Sequence, residues 1–167
     1  WCGMLGKPEA ILAVSAHWES GDAAVSVAAQ PETIYDFYGF PDELYRIKYP
    51  APGAPGLGAR AQALLGEKGI GVRAHPTRGL DHGAWSPLLY MYPEADVPVV
   101  QIAVQTALGA RHHIEVGRAL APLSSEGVLI IGSGHLTHNL RDRGNGSPAP
   151  TRSAPRVSYQ GHGTLTR

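Results

Sequence analysis

Ala10-Ile-Leu-Ala-Val-Ser-Ala16 is a short apolar run without the polar alternation of a half-exposed strand, and it predicts a strand buried on both faces. Val97-Pro-Val-Val-Gln-Ile-Ala-Val104 and Val128-Leu-Ile-Ile131 carry the same pattern, with Pro98 expected at a strand start because proline cannot donate to the ladder. Ala23 to Ala28 and Gly71 to Ala74 are weaker strand candidates. Between them the spacing changes. Leu57, Ala61, Leu64 and Leu65 follow one helical period, and Val116, Ala119, Leu120 and Leu123 follow another. Strands alternating with helices predict an α/β fold: a mostly parallel central sheet with helices on both faces and the site at the carboxyl ends of the strands. Chemistry is therefore expected just after Ala16 and just after Ile131.

Two stretches break the alternation. Thr33 to Pro55, dense in Tyr, Phe, Pro and Gly, predicts an ordered loop lining a cavity. From Arg141 onward apolar periodicity stops, and Pro, Ser, Gly and Arg predominate. The expected organisation is one domain over residues 1–141, then an irregular tail over 142–167. There is no internal repeat. Residue 1 is Trp and no signal-like segment opens the chain, so the domain is expected to be incomplete at its N-terminus.

Composition narrows the function classes. The 167 residues include 14 basic and 14 acidic side chains, so no net field gathers nucleic acid or an anionic membrane surface. The apolar runs fall far short of the ~20 residues that span a bilayer. Cys2 is the only cysteine, which excludes an internal disulfide framework and cysteine-rich zinc sites and fits a reducing compartment. Cytoplasm is the expected location, with no nucleic-acid or membrane partner. Oligomeric state is left open, a homo-oligomer included.

The histidines carry the candidate chemistry. His17 follows the first buried strand, where a ligand-facing imidazole and a strand-capping imidazole are both reasonable. His82 lies in Leu80-Asp-His-Gly-Ala-Trp85. The adjacent Asp81 is expected either to fix its tautomer for proton transfer or to cap a helix starting near Ala84. His138 follows the strongest strand and a turn of small residues, Gly132-Ser-Gly-His135-Leu-Thr-His138, and His135 shares a face with it if the turn continues as a helix. The Gly-Ser-Gly lacks both nucleotide-loop fingerprints. His112 and His113 predict a solvated helix start, and His75 and His162 have no supporting context. Histidines and carboxylates without a thiolate cluster favour zinc or non-haem iron.

Ser15-Ala-His-Trp18, Asp36-Phe-Tyr-Gly-Phe-Pro41 with Leu44-Tyr45, Tyr49-Pro-Ala-Pro-Gly53, Leu80-Asp-His-Gly-Ala-Trp85, Met91-Tyr-Pro-Glu-Ala-Asp-Val-Pro98 and Thr137-His-Asn-Leu-Arg141 occur in that order. Together they resemble the DOPA-dioxygenase type of class III extradiol ring-cleavage dioxygenases, of the LigB-like superfamily, over roughly residues 8–141. The resemblance implies an Fe(II) enzyme, with zinc as an alternative metal, that opens a catechol ring beside its two hydroxyls using O2. It implies His17 as a metal ligand, His138 as a further ligand or the base that takes a catechol proton, and His82 as the group that contacts substrate and protonates the cleaved intermediate. Tyr35, Phe37, Trp85 and His135 are the implied substrate contacts, with Tyr38 and Phe40 in the same aromatic wall. Core packing explains each aromatic equally well.

Two departures accompany the resemblance. The family's opening His-Gly-Ser-Pro motif and its later Glu-His-Tyr-Leu-Pro-like motif, each a source of a metal ligand, have no counterpart here. A non-catalytic remnant or interaction module of the same fold is therefore the first rival, and a zinc-dependent hydrolase the second.

Overall fold

The computed structural model describes residues 6–134. Five strands form one sheet: β1 (Ala10–Glu19), β2 (Ala23–Ser26), β3 (Val72–His75), β4 (Val99–Val104) and β5 (Val128–Ser133), in the order β3-β2-β4-β1-β5. β1 lies at its centre-right, parallel to both β4 and β5, and β2 is parallel to β3. Only the β2 to β4 contact is antiparallel. Each of the five strands overlaps one of the segments expected from the sequence, with shifted ends. Pro98 stands immediately before β4, where its carbonyl accepts from the Ile11 N–H at 2.8 Å.

Three helices cover the sheet: α1 (Pro55–Gly66), α2 (His82–Met91) and α3 (Gly109–Leu120). The pleat explains how they divide. Alternate β1 side chains point to opposite faces, so Leu12 packs with Ala61, Leu64 and Leu65 of α1 and Ala119 and Leu120 of α3. Ile11 and Ala13 pack on the other face with Ala84, Trp85 and Leu88 of α2. Leu12, Leu65 and Leu88 are fully buried. Each face thus has its own apolar layer, and β1 contributes to both.

The Tyr- and Pro-rich loop is ordered by two bridges to the body of the fold, Thr33 beside Leu80 and Gly53 beside Val99. Within it, Asp42–Arg46 is a 3-10 turn, and the buried Tyr49 hydroxyl donates to the Tyr92 carbonyl at 2.9 Å. His112 and His113 are more engaged than a solvated helix start requires. The buried Gln105 donates its N–H to His113 Nε2 at 3.1 Å and meets His112 Nε2 at 3.0 Å through its side-chain oxygen, which ties down the entry to α3. Among the described residues no helix is long and apolar enough to cross a membrane. The expected tail, 142–167, lies outside the described residues, as do His135, His138 and His162.

Candidate metal and substrate site

β1 continues past the expected end at Ala16 to Glu19, so His17 lies within the strand and not after it. The reason is an irregularity. Val14 pairs with Ile102 and Glu19 with Val104, so five steps along β1 answer two along β4. Extra residues in one strand of a pair bend it and re-aim its side chains. His17 belongs to this bulged stretch, and its side chain is 43% exposed. The Ser15 hydroxyl, fully buried, accepts the His17 N–H at 3.2 Å and pins the bend.

His82 opens α2. Its neighbour Asp81 does not orient the ring, which corrects the first of the two expectations for that residue. As N-cap, Asp81 accepts from the Ala84 N–H at 3.2 Å, and its side chain turns under the helix into the sheet. There its other oxygen receives the Gln101 side chain at 2.8 Å and Arg78 at 3.1 Å, with no exposure to solvent. A carboxylate committed to the orphan N–H groups of a helix start faces away from the side chain that follows it. The capping expectation holds.

The acid beside His82 is Asp36, from the aromatic loop. Ile34 and Leu80 form a pair of backbone hydrogen bonds with the strand-like segments opposite, Ile34 N–H to the Leu80 carbonyl and Leu80 N–H to the Glu32 carbonyl, both 2.8 Å. This carries Asp36 over the start of α2. Its Oδ1 accepts the His82 backbone N–H at 2.9 Å and lies 2.9 Å from His82 Nδ1, while Oδ2 lies 3.5 Å from His17 Nδ1. The contact to His82 Nδ1 is close but off the direction of a hydrogen bond, so this buried ring nitrogen has no aligned partner. Burial alone would raise the Asp36 carboxyl; the His82 backbone N–H, the His82 ring and the Asp36 backbone outweigh it and hold the group below its ordinary value.

The two imidazoles lie side by side with ring centroids 4.0 Å apart, and one donor atom from each of His17, Asp36 and His82 falls within 4.8 Å of the others. The helix can come this close because residue 83 is glycine. A Cβ there would stand 2.3 Å from Ser15 Oγ and 2.9 Å from His17 Cδ2. Imidazole nitrogens with a carboxylate beside them suit non-haem iron or zinc. The donor set fits a divalent metal.

A cavity of about 230 Å³ adjoins the cluster through His82. Phe37, Phe40, Leu44, Ile47, Trp85 and Leu89 form most of its wall. An apolar cavity of roughly 150 Å³ already accepts benzene, so one aromatic ring fits here. Phe37 meets His82 edge-on at 5.4 Å between centroids. Trp85 lines the cavity while its Nε1 donates to the Ile34 carbonyl at 2.9 Å. Tyr35 stands behind this wall, packed on Phe37 and Trp85, with its hydroxyl donating to the Ile47 carbonyl at 2.6 Å. Tyr38 is 91% exposed and does not line the cavity. β5 ends at Ser133, paired with Ser15, so the chain leaves the sheet next to the strand that carries His17.

Residues 1–155 match the family model described as the catalytic LigB subunit of aromatic ring-opening dioxygenase. The chain belongs to this family. Relatives of the LigB family include the 4,5-DOPA dioxygenase extradiol of Beta vulgaris, 55% identical over 143 residues that cover 85% of this chain and 52% of that protein. Another is the 4,5-DOPA dioxygenase extradiol of Escherichia coli, 43% identical over 87% of this chain and 55% of that protein. A crystal structure of the uncharacterized protein JW3007 from Escherichia coli superposes with a TM-score of 0.69 at 38% identity, covering 89% of this chain and 57% of that one. The chain spans about half the length of the curated relatives it matches.

Asp36 and Gly83 are the site residues that sequence reasoning did not single out. Both stand inside motifs that carry the family resemblance, which was the available signal. Their roles depend on partners 46 and 68 residues away.

Proposed function

We propose that this chain carries the His17 half of an extradiol ring-cleavage site, which opens a catechol of the DOPA type with O2 at a non-haem Fe(II) ion. The supporting observation is the juxtaposition of the His17, Asp36 and His82 cluster with an aromatic cavity of ring size. The names of the relatives point the same way. In the overall reaction both atoms of O2 enter the product, and the ring bond beside the two hydroxyl-bearing carbons breaks.

His17 would hold the metal, with His138, which lies outside the described residues, as the further ligand or the base. Bound Fe(II) supplies a Lewis acid for the catechol hydroxyls and a path for electrons to O2. The protein does the remainder. Phe37 and Trp85, packed on each other in the cavity wall, give the ring an apolar surface that excludes water, and such positioning contributes through orientation. His82, on the cavity wall, is placed to hand a proton to the opened ring. His135, also outside the described residues, is proposed as a substrate contact. Tyr35, one layer back, supports the wall.

Anaerobic dialysis against Fe(II) tests the reading. One equivalent should bind to the chain, binding should weaken in His17→Ala, and a catechol should quench Trp85 fluorescence in the loaded protein. Equal iron content in the wild type and His17→Ala, or no response to catechol, would refute it. In that case a non-catalytic module of the same fold is the reading that survives.

A further inference from the structure

Among the described residues Asp36 is the one acidic side chain that reaches both His17 and His82, and it does so in a particular way. Each imidazole turns its Nδ1 toward the carboxylate, at 2.9 Å for His82 and 3.5 Å for His17. Among the described residues neither Nε2 has a hydrogen-bond partner. The carboxylate is fixed independently of the rings, because Oδ1 also accepts the backbone N–H of His82. The cavity wall contains His82 but not Asp36, so the carboxylate approaches the ring from outside the substrate space. A neutral imidazole beside a carboxylate keeps its proton on the near nitrogen and presents the far nitrogen as a lone pair.

We infer that Asp36 is the positioning residue of the site, a shared brace that sets the Nδ1–H tautomer of His17 and His82 and so leaves Nε2 of His17 to ligate the metal and Nε2 of His82 to work on the substrate. The inference rests on the proposed function only in taking His17 as a metal ligand. One carboxylate serving two imidazoles has a chemical consequence. Asp36→Asn keeps an oxygen for the His82 N–H, but its amide N–H2 would then face His17 Nδ1, and a donor opposite Nδ1 favours the proton on Nε2. That tautomer cannot ligate through Nε2.

The test uses the full chain, without catechol or O2, so that a failure of ring cleavage does not bear on it. Long-range nitrogen–proton correlations of the ring nitrogens should show both His17 and His82 as Nδ1–H tautomers in the wild-type protein. In Asp36→Asn the His17 signal should move to the Nε2–H tautomer, and Zn(II) affinity should fall about 10–100-fold at unchanged one-to-one stoichiometry. Asp36→Glu, which keeps the carboxylate, should recover part of that loss. A merely structural role would leave the tautomers unchanged. The inference is overturned if wild-type His17 is the Nε2–H tautomer, or if Asp36→Asn leaves tautomer and affinity as they were. It is also overturned if the variant changes the visible spectrum of the Co(II)-loaded protein to that of a site with one oxygen ligand fewer, which would make Asp36 a ligand.

Discussion

Gly83→Ala sets two physical effects against each other with opposite signs. Gly83 is the second residue of α2, and alanine at an unhindered helical position is favoured over glycine by about 0.8–1.0 kcal/mol. Here the new methyl would meet Ser15 Oγ at 2.3 Å, His17 Cδ2 at 2.9 Å and Asp81 Oδ1 at 3.3 Å. None of these can yield freely. Ser15 is fully buried and holds the His17 N–H, and Asp81 is locked by Ala84, Gln101 and Arg78. Overpacking of such a contact costs about 1–3 kcal/mol, and loss of the Ser15 to His17 hydrogen bond adds about 0.5–1.5 kcal/mol. The expected net effect is destabilisation of about 0.5–3.7 kcal/mol, with weaker metal binding because His17 is displaced. Urea unfolding measures the first and Zn(II) competition the second. Ser15→Ala removes the closest atom, so the double variant should be less destabilised than the sum of the single ones. A Gly83→Ala protein as stable as the wild type, or more so, would refute the argument that this glycine exists for close approach.

Asp81→Ala leaves the Gln101 side chain and Arg78 without their partner in the interior, and an unfolding free energy lower by about 3–5 kcal/mol is expected in denaturant titration. Burial pushes the Tyr49 hydroxyl up to about 12 from an ordinary value of 10, with Asp96 and Tyr92 adding to it. Because the folded value is the higher one, this group's contribution is complete below pH 10 and disappears as pH climbs toward about 12. Tyr49→Phe should flatten that alkaline limb in pH-dependent melting, at a cost near neutrality of about 1 kcal/mol for the lost bond to the Tyr92 carbonyl. Phe37→Ala opens the cavity wall and should weaken catechol binding to the metal-loaded protein, read from Trp85 fluorescence, while leaving metal affinity unchanged.

The strands of the sheet were legible because β1, β4 and β5 carry unbroken apolar runs, but the expected burial on both faces does not hold for β5, an edge strand in which Val128 is buried and Ile130 is 36% exposed. The antiparallel contact between β2 and β4 was not legible, since four residues of β2 carry no sign of their partner's direction. The extension of β1 through His17 to Glu19 was hidden by its polar residues, which an irregular pairing tolerates and a regular buried strand would not. His17 and His82, which the structure brings together, stood out in the sequence by residue type and by their motifs. Their acid did not. Asp81, next to His82 in the chain, was the natural choice, yet neighbouring residues at a helix start point in different directions. Asp36 reaches His82 only because the Thr33 to Leu80 bridge folds the aromatic loop over α2, and contacts of that kind leave no local pattern.

The most direct measurement is oxygen-dependent ring opening by the full chain, loaded with Fe(II) under anaerobic conditions, mixed with a catechol and then exposed to O2. The account predicts a yellow semialdehyde that forms only with iron and oxygen together and is lost in His17→Ala. Product formation of equal rate in His17→Ala, or none from an iron-loaded wild-type chain, would contradict it.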